Sequence, residues 1–483
     1  MWWPRRADIK VDFFSYIQNL AKYTKLNRLL FTGLFLLLVV SGVGQVGPKL
    51  KPAMSNFNAD EQLKYGVSSL YVINASTGEV VFDQNSNMGL APASTQKIIT
   101  AATVFDILGT SYTYDTKFGI VNTSKGKSLY IEPSGDPALG SWRWSETKDS
   151  AFLGRLKSAL VAKGVTKLET VIINASKWDY ETIPDGWIWQ DIGNYYGAGS
   201  QALNWRENQF DLVLKSGANV GDAVSVVKTI PYLYNYNIIS NATTAPKLSG
   251  DNSYLYHPSI GSRDGILTGT IPAEQKAFVV SGSMYNPANQ FVKTVINHLK
   301  GTVNFKSDEG SITKKSMPEV DWVFTNSSPK MSSLVYWFLR KSINLYGEAF
   351  IKALALEKKN IASTDSGIDA IKDHWKTKGV DEEELHLYDG SGLSPQNRVT
   401  THAEVTILKY AKSRPWFDAY YDAFPLYNDT KMKSGTINRV KGFAGYQKSK
   451  DGNEYIFSFI VNNYSGSQAA LIRKMYKVLD VLK

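Results

Sequence analysis

Residues 70–84, "LYVINASTGEVVFDQ", place two β-rich runs on either side of an Asn-Ala-Ser-Thr-Gly turn, which predicts a hairpin. Shortly after it, Ile98, Ala101, Ala102, Phe105 and Leu108 recur at helical spacing until Gly109 stops the run. Ser94 stands in or just before the first turn of that predicted helix, with Lys97 one turn on and on the same face. From 115 to 305 the texture changes to short strands broken by Gly, Pro and Asn turns. Within it, 216–269 is polar and turn-rich and reads as an insert within an insert. Helical spacing returns near 331, where Met331, Leu334, Trp337 and Phe338 share one stripe. "YIFSFIVNN" alternates as a strand, and a closing helix is predicted from 468 to 482.

Ahead of these elements lies "LLFTGLFLLLVVSGVG", preceded by Arg5, Arg6, Lys10, Lys22, Lys25 and Arg28 against Asp8 and Asp12. Basic residues before an apolar run of about 15 residues, then small residues, read as a secretory signal. The alternative is an uncleaved N-terminal membrane anchor, for which the run is short of the usual span of about 20 residues. Both readings assign 1–47 to a leader and put the rest outside the cytoplasm, in the periplasm or cell envelope.

Composition narrows the chemistry. A chain of 483 residues suits two or three domains, and 43% hydrophobic with 20% charged residues is an ordinary globular balance. Cysteine is absent, which excludes thiol catalysis, disulfides and Cys-ligated metals. The histidines, 257, 298, 374, 386 and 402, form no His-x-x-x-His pair, and there is no Gly-x-Ser-x-Gly elbow. Neither a metal nor a cofactor is therefore expected, and the base of any hydrolytic site should be something other than histidine. The formal charge of +10 is partly in the leader, and no basic run beyond it suggests nucleic acid. A mildly basic body suits an anionic wall or membrane surface.

Ser-x-x-Lys occurs six times, at Ser94, Ser124, Ser145, Ser225, Ser311 and Ser327, and only Ser94 opens a clear periodic apolar segment. Ser342-Ile343-Asn344 is the chain's single Ser-x-Asn, and Lys433-Ser434-Gly435-Thr436 precedes a strand-like stretch. Each is ambiguous alone. Ser94 reads equally as a helix N-cap, Lys97 as a solvated lysine, Asn344 as a buried amide, and Lys433 as a strand-edge charge. In this order, however, the three elements match the signature of penicillin-recognising serine enzymes.

With "LAPASTQKIITAATVFDILG", "SGDPALGS", "DGWIWQDIGNYYGAGSQALNWREN", "KSINLYGEAF" and "LYDGSGLSPQNRVT" around them, the chain resembles the D-alanyl-D-alanine carboxypeptidase/endopeptidases among the low-molecular-mass, class C penicillin-binding proteins. The resemblance runs from about 67 to 482. It implies an α/β (α+β) fold, a transpeptidase/β-lactamase-like domain with an antiparallel sheet and flanking helices. That domain would comprise 56–114 and 320–483, with one β-rich domain (115–215 and 270–319) inserted and a second small insert at 216–269. It implies attack by Ser94 on peptidoglycan stem peptides, Lys97 as base once its pKa is depressed by burial or by a cation such as Lys433, and Ser342 as proton relay to the departing amine. Asn344 would bind a substrate amide, the N–H groups of Ser94 and Thr436 would form the oxyanion hole, and the Ser434 and Thr436 hydroxyls would hold the terminal carboxylate, with Gly435 between them also in the substrate-binding set. β-Lactam antibiotics would be covalent ligands. A β-lactamase-like hydrolase and a non-catalytic wall-binding protein are the alternatives.

The chain departs from the family pattern in three places. Ser434 stands where threonine is commoner, and Ile343 where many members carry aspartate. Asn174 stands where some carry an aspartate that meets the free amino group of the stem's diamino acid; it is expected to bind substrate more weakly there, or else to end its strand as a turn residue. "DGSGLS", 389–394, is expected to be a structural turn near the site. No residue is assigned as the base for deacylation.

Overall fold

The computed structural model describes residues 46–258, 263–317 and 319–483. The leader, apart from its last two residues, falls outside the described residues. Among those described, no helix is long and apolar enough to cross a membrane.

The predicted hairpin forms from Val67–Asn74 and Val80–Gln84 and is the edge of a six-stranded antiparallel sheet. From the other edge the order is Leu426–Tyr427, Thr430–Ile437, Val440–Lys448, Glu454–Asn462, Val67–Asn74 and Val80–Gln84. Alternation along a strand sends successive side chains to opposite faces. Tyr71 and Ile73 enter the core on one face, with Met331, Leu334, Phe338 and the helix Lys97–Ile107. Leu70 and Val72 join Phe457 and Phe459 on the other face, under the closing helix Gln468–Leu479. That helix ends as a 3-10 turn at Asp480–Leu482.

A second helix on this far face, Val46–Asn58, lies mostly ahead of the point where the sequence reading began the domain. Val46, Leu50, Met54 and Phe57 supply its buried stripe at near-helical spacing. Gly47, Pro48 and an internal Pro52 obscure the pattern, because proline argues against helix in any local reading.

Between the two parts of this layer, Asp115–Thr123, Gly126–Glu132, Val171–Asn174, Gly310–Thr313 and Asp321–Ser327 make a five-stranded sheet. Asp321–Ser327 pairs with Asp115–Thr123, so a boundary at 320 divides this sheet from one of its own strands. Two helices, Asp149–Ala162 and Pro287–Leu299, pack against it, where the sequence texture predicted only strands. Their buried Phe152, Leu153, Leu156 and Leu160, and Phe291, Val292, Val295 and Leu299, lie at helical spacing. The turn-rich stretch has a small sheet of its own, built on Asn237–Ser240, Thr243–Ala245, Asn252–Tyr256 and Asp264–Pro272. Its Leu255 and Leu267 belong to the same apolar cluster as Phe118 and Phe291, so the inserted sheets share one core.

Candidate functional site

Ser94 lies in a 3-10 turn, Ala93–Gln96, that runs straight into the helix Lys97–Ile107. Its N–H, at the start of helical structure, has no partner one turn back. Ala93 before it holds a left-handed backbone, φ 49°, and so turns the chain sharply just ahead of the serine. Lys97 follows one turn on, fully buried. Its Nζ lies 3.0 Å from Ser94 Oγ and 2.6 Å from both Asn344 Oδ1 and the Ser391 carbonyl oxygen. Burial holds the Lys97 ammonium down to about 7, against the opposing pull of Asp389 and Glu348.

Asn344 opens the helix Asn344–Lys359, and its Nδ2 donates to the Tyr196 carbonyl at 2.8 Å, which turns Oδ1 toward Lys97. Ser342 caps the preceding helix, Met331–Lys341, in the left-handed region at φ 56°. Such a conformation is costly for a residue with a Cβ. Here it faces a second lysine, since Lys433 Nζ donates to Ser342 Oγ at 3.0 Å and to the Ser434 carbonyl at 2.7 Å. Lys433 is also buried, and its ammonium is held well below its ordinary value by burial first, then by repulsion from Lys97 and Lys441. The sequence reading offered Lys433 as a cation that depresses Lys97. In the structure burial is the leading cause at both lysines.

The strand Thr430–Ile437 carries Lys433, Ser434, Gly435 and Thr436 past the Ser94 turn. Gly435 is required by that approach. A Cβ on it would stand 2.5 Å from the Pro92 carbonyl oxygen and 3.0 Å from the Ser94 nitrogen. Thr436 Oγ1 accepts from Lys441 Nζ at 2.9 Å.

"DGSGLS" is the turn that the sequence predicted, with Gly392 at φ 82°. Its backbone is tied by Asp389, whose carboxylate accepts from the N–H groups of Gly392 and Ser394, from Asn397 Nδ2 and from Trp187 Nε1. The turn also reaches the site directly through the Ser391 carbonyl on Lys97. Sequence reasoning missed that contact because a backbone oxygen leaves no mark in residue type. It missed Glu348 and Lys441 as well. Glu348 lies one turn along the helix from Asn344, accepts from the Gly390 N–H at 3.0 Å, and is pushed up to about 8 by burial and by the charge of Asp389.

Ser94, Lys97, Ser342, Asn344, Lys433, Ser434, Gly435 and Thr436 thus converge. Asn174 does not share their contacts. It ends the strand Val171–Asn174 and its Oδ1 accepts from the Ser176 N–H at 3.0 Å, a side-chain-closed turn. Its Nδ2 faces Ser316 Oγ at 3.5 Å.

The inserted sheets are held to the site by polar ties. Tyr346 donates to the buried Glu207, which also receives a two-pronged bond from Arg143. Lys352 reaches the carbonyls of Glu181 and Ser200. No cluster of acidic or histidine side chains able to hold a metal occurs among the described residues.

Residues 50–481 match the family described as D-Ala-D-Ala carboxypeptidase 3 (S13). The chain is 24% identical over 446 residues to a D-alanyl-D-alanine carboxypeptidase of Actinomadura sp. (strain R39), covering 84% of this chain and 80% of that protein. It is 20% identical over 442 residues to the D-alanyl-D-alanine carboxypeptidase DacB of Haemophilus influenzae, covering 86% and 90%. The crystal structure of penicillin binding protein 4 (dacB) from Haemophilus influenzae superimposes with a TM-score of 0.75 at 19% identity, over 88% of this chain and 98% of that one. With sequence and fold in agreement over nearly all the described residues, this chain belongs to the D-Ala-D-Ala carboxypeptidase 3 (S13) family of peptidases.

Proposed function

We propose that the protein hydrolyses the bond after D-Ala in peptidoglycan stem peptides, through an acyl-Ser94 intermediate, and that penicillins trap it in that form. One observation carries the reading. Two of the three partners of Lys97 Nζ, Asn344 Oδ1 and the Ser391 carbonyl, can only accept hydrogen bonds. A neutral Lys97 gives its two hydrogens to them and turns its lone pair to the third partner, Ser94 Oγ, at 3.0 Å. A serine hydroxyl needs such a base beside it to become a nucleophile.

In this mechanism Ser94 Oγ loses its proton to Lys97 and bonds to the D-Ala carbonyl carbon. The N–H groups of Ser94 and Thr436 receive the oxyanion, a contribution of about 3 to 4 kcal/mol for one such donor. Ser342, hydrogen-bonded to Lys433, passes a proton to the departing amine, and water then cleaves the acyl-serine ester. The second hydrogen of Asn344 Nδ2 is available to a substrate carbonyl. The Ser434 and Thr436 hydroxyls meet the terminal carboxylate. Because the substrate lies in the wall, the protein works outside the cytoplasm, with the N-terminal segment as signal or anchor. The Haemophilus protein, whose structure has also been solved complexed with a β-lactam, supports the penicillin part of the reading.

The test is labelling by a fluorescent penicillin. The native protein should label and release slowly, whereas Ser94→Ala should give no covalent label at an unchanged melting temperature, because Ser94 is only half-buried. Label persisting on another serine would refute the assignment. Rapid release with turnover would instead favour the β-lactamase-like alternative.

A further inference from the structure

Lys441 is the third buried lysine of the site, and the mechanism above gives it no role. It lies on the strand Val440–Lys448, directly opposite Thr436 across a tight turn at Asn438 and Arg439. The side chain is 5% exposed. Its Nζ gives one hydrogen to Thr436 Oγ1 at 2.9 Å and lies over the Phe443 ring at 4.7 Å. Among the described residues no carboxylate comes within ion-pair distance of it. Lys433 adds a like charge from the neighbouring strand. Burying an ammonium without an anion is expensive, and proteins normally pair such a charge or neutralise it. Burial pulls this ammonium down to about 8, which still leaves it mostly charged at neutral pH.

An unpaired buried cation beside a hydroxyl has the form of an anion receptor awaiting its anion. The Thr436 hydroxyl accepts from Lys441, so its own hydrogen is free to donate outward. Among the described residues the ammonium has no hydrogen-bond partner besides Thr436 Oγ1, which leaves its two other hydrogens uncommitted. We propose that Lys441 and Thr436 together form a subsite for the terminal carboxylate of the substrate, with Lys441 supplying the charge that selects a free C-terminal carboxylate over a neutral end. This rests on the carboxypeptidase reading and adds to it a specificity-determining residue. In sequence Lys441 shows only as a lysine near a turn. Strand pairing is what sets it against Thr436.

The experiment compares one peptide ending in D-Ala-D-Ala as the free acid and as the C-terminal amide, by kcat/KM for release of the last residue or its amide. The native protein should prefer the acid. Lys441→Met should lower the acid-to-amide ratio about tenfold or more, the effect of losing one charge-assisted hydrogen bond. Lys441→Arg should restore most of that ratio, since it keeps the charge and a donor. End-point labelling by saturating penicillin shows that each variant is folded and that Ser94 reacts. An equal ratio in native protein and Lys441→Met overturns the proposal, as does an arginine variant no better than methionine. Failure of the native protein to label or to release D-Ala overturns the carboxypeptidase reading, and this subsite with it.

Discussion

In the proposed mechanism Lys97 is the base, and its surroundings include four residues distant in sequence, Asn344, Ser391, Asp389 and Glu348. Burial holds it to about 7, so the neutral form that the proposed mechanism needs as base grows as pH rises through that value. The direction is clear: below about 7 Lys97 is protonated and cannot take the Ser94 proton, and above it the base is available. The rate constant for acylation by penicillin should therefore rise about tenfold per pH unit below that pKa and level off above it. A profile flat from pH 5 to 9 would mean that another group activates Ser94. At this scale Asn174 is a useful contrast. The sequence left it either a weakened substrate contact or a turn residue, and in the structure its Oδ1 accepts from the Ser176 N–H and closes a turn.

Among the elements, the strand Thr430–Ile437 and the turn Ala93–Gln96 are positioned by mutual closeness, not by either segment alone. Gly435 permits it. Gly435→Ala should push the strand away from Ser94, because the new methyl would meet backbone at Pro92 and not a flexible side-chain tip. Acylation should slow by at least about tenfold, the effect of weakening one oxyanion donor by more than about 1.4 kcal/mol. Stopped-flow labelling measures this. An acylation rate within a factor of two of native would show that the strand tolerates the displacement. The glycine was legible in sequence as part of Lys-Ser-Gly, but its reason was not, because the clash is with residues some three hundred positions away.

At the scale of the whole molecule, the six-stranded sheet is covered on both faces, and the far face depends on the first described helix. Leu50 of Val46–Asn58 is completely buried in the cluster containing Phe457, Phe459 and Leu471. Leu50→Ala should cost about 2 to 5 kcal/mol through lost burial and the cavity left behind. A clear fall in melting temperature is expected, with penicillin labelling retained at low temperature, since Ser94 belongs to the opposite face of the sheet. An unchanged melting temperature would mean that this helix is dispensable to the fold. The same two-faced arrangement explains why the inserted sheets can be so large. They attach through Glu207, Glu181, Ser200 and Tyr196 to the one helix Asn344–Lys359 beside Ser342, and leave the sheet itself uninterrupted.

The sequence by itself determined the local periods and their order. Two β-rich runs around a turn predicted the hairpin, and alternation the strand near 455. Helical spacing after Ser94 picked one Ser-x-x-Lys from six, and the succession of three short motifs named the residues that the fold brings together around Lys97 and Lys433. These are properties of near neighbours, and near neighbours are what a linear pattern records. Helices with prolines at their start, as at Val46–Asn58, escaped because the local signal argues against the element that packing stabilises. Tertiary structure alone decided what surrounds each charge. Lys97 depends on residues 344, 391, 389 and 348, Lys433 on Ser342, and Lys441 on Thr436 across a hairpin. A pKa or an unpaired charge depends on distance and burial, and both are set only when remote segments of the chain are folded against one another.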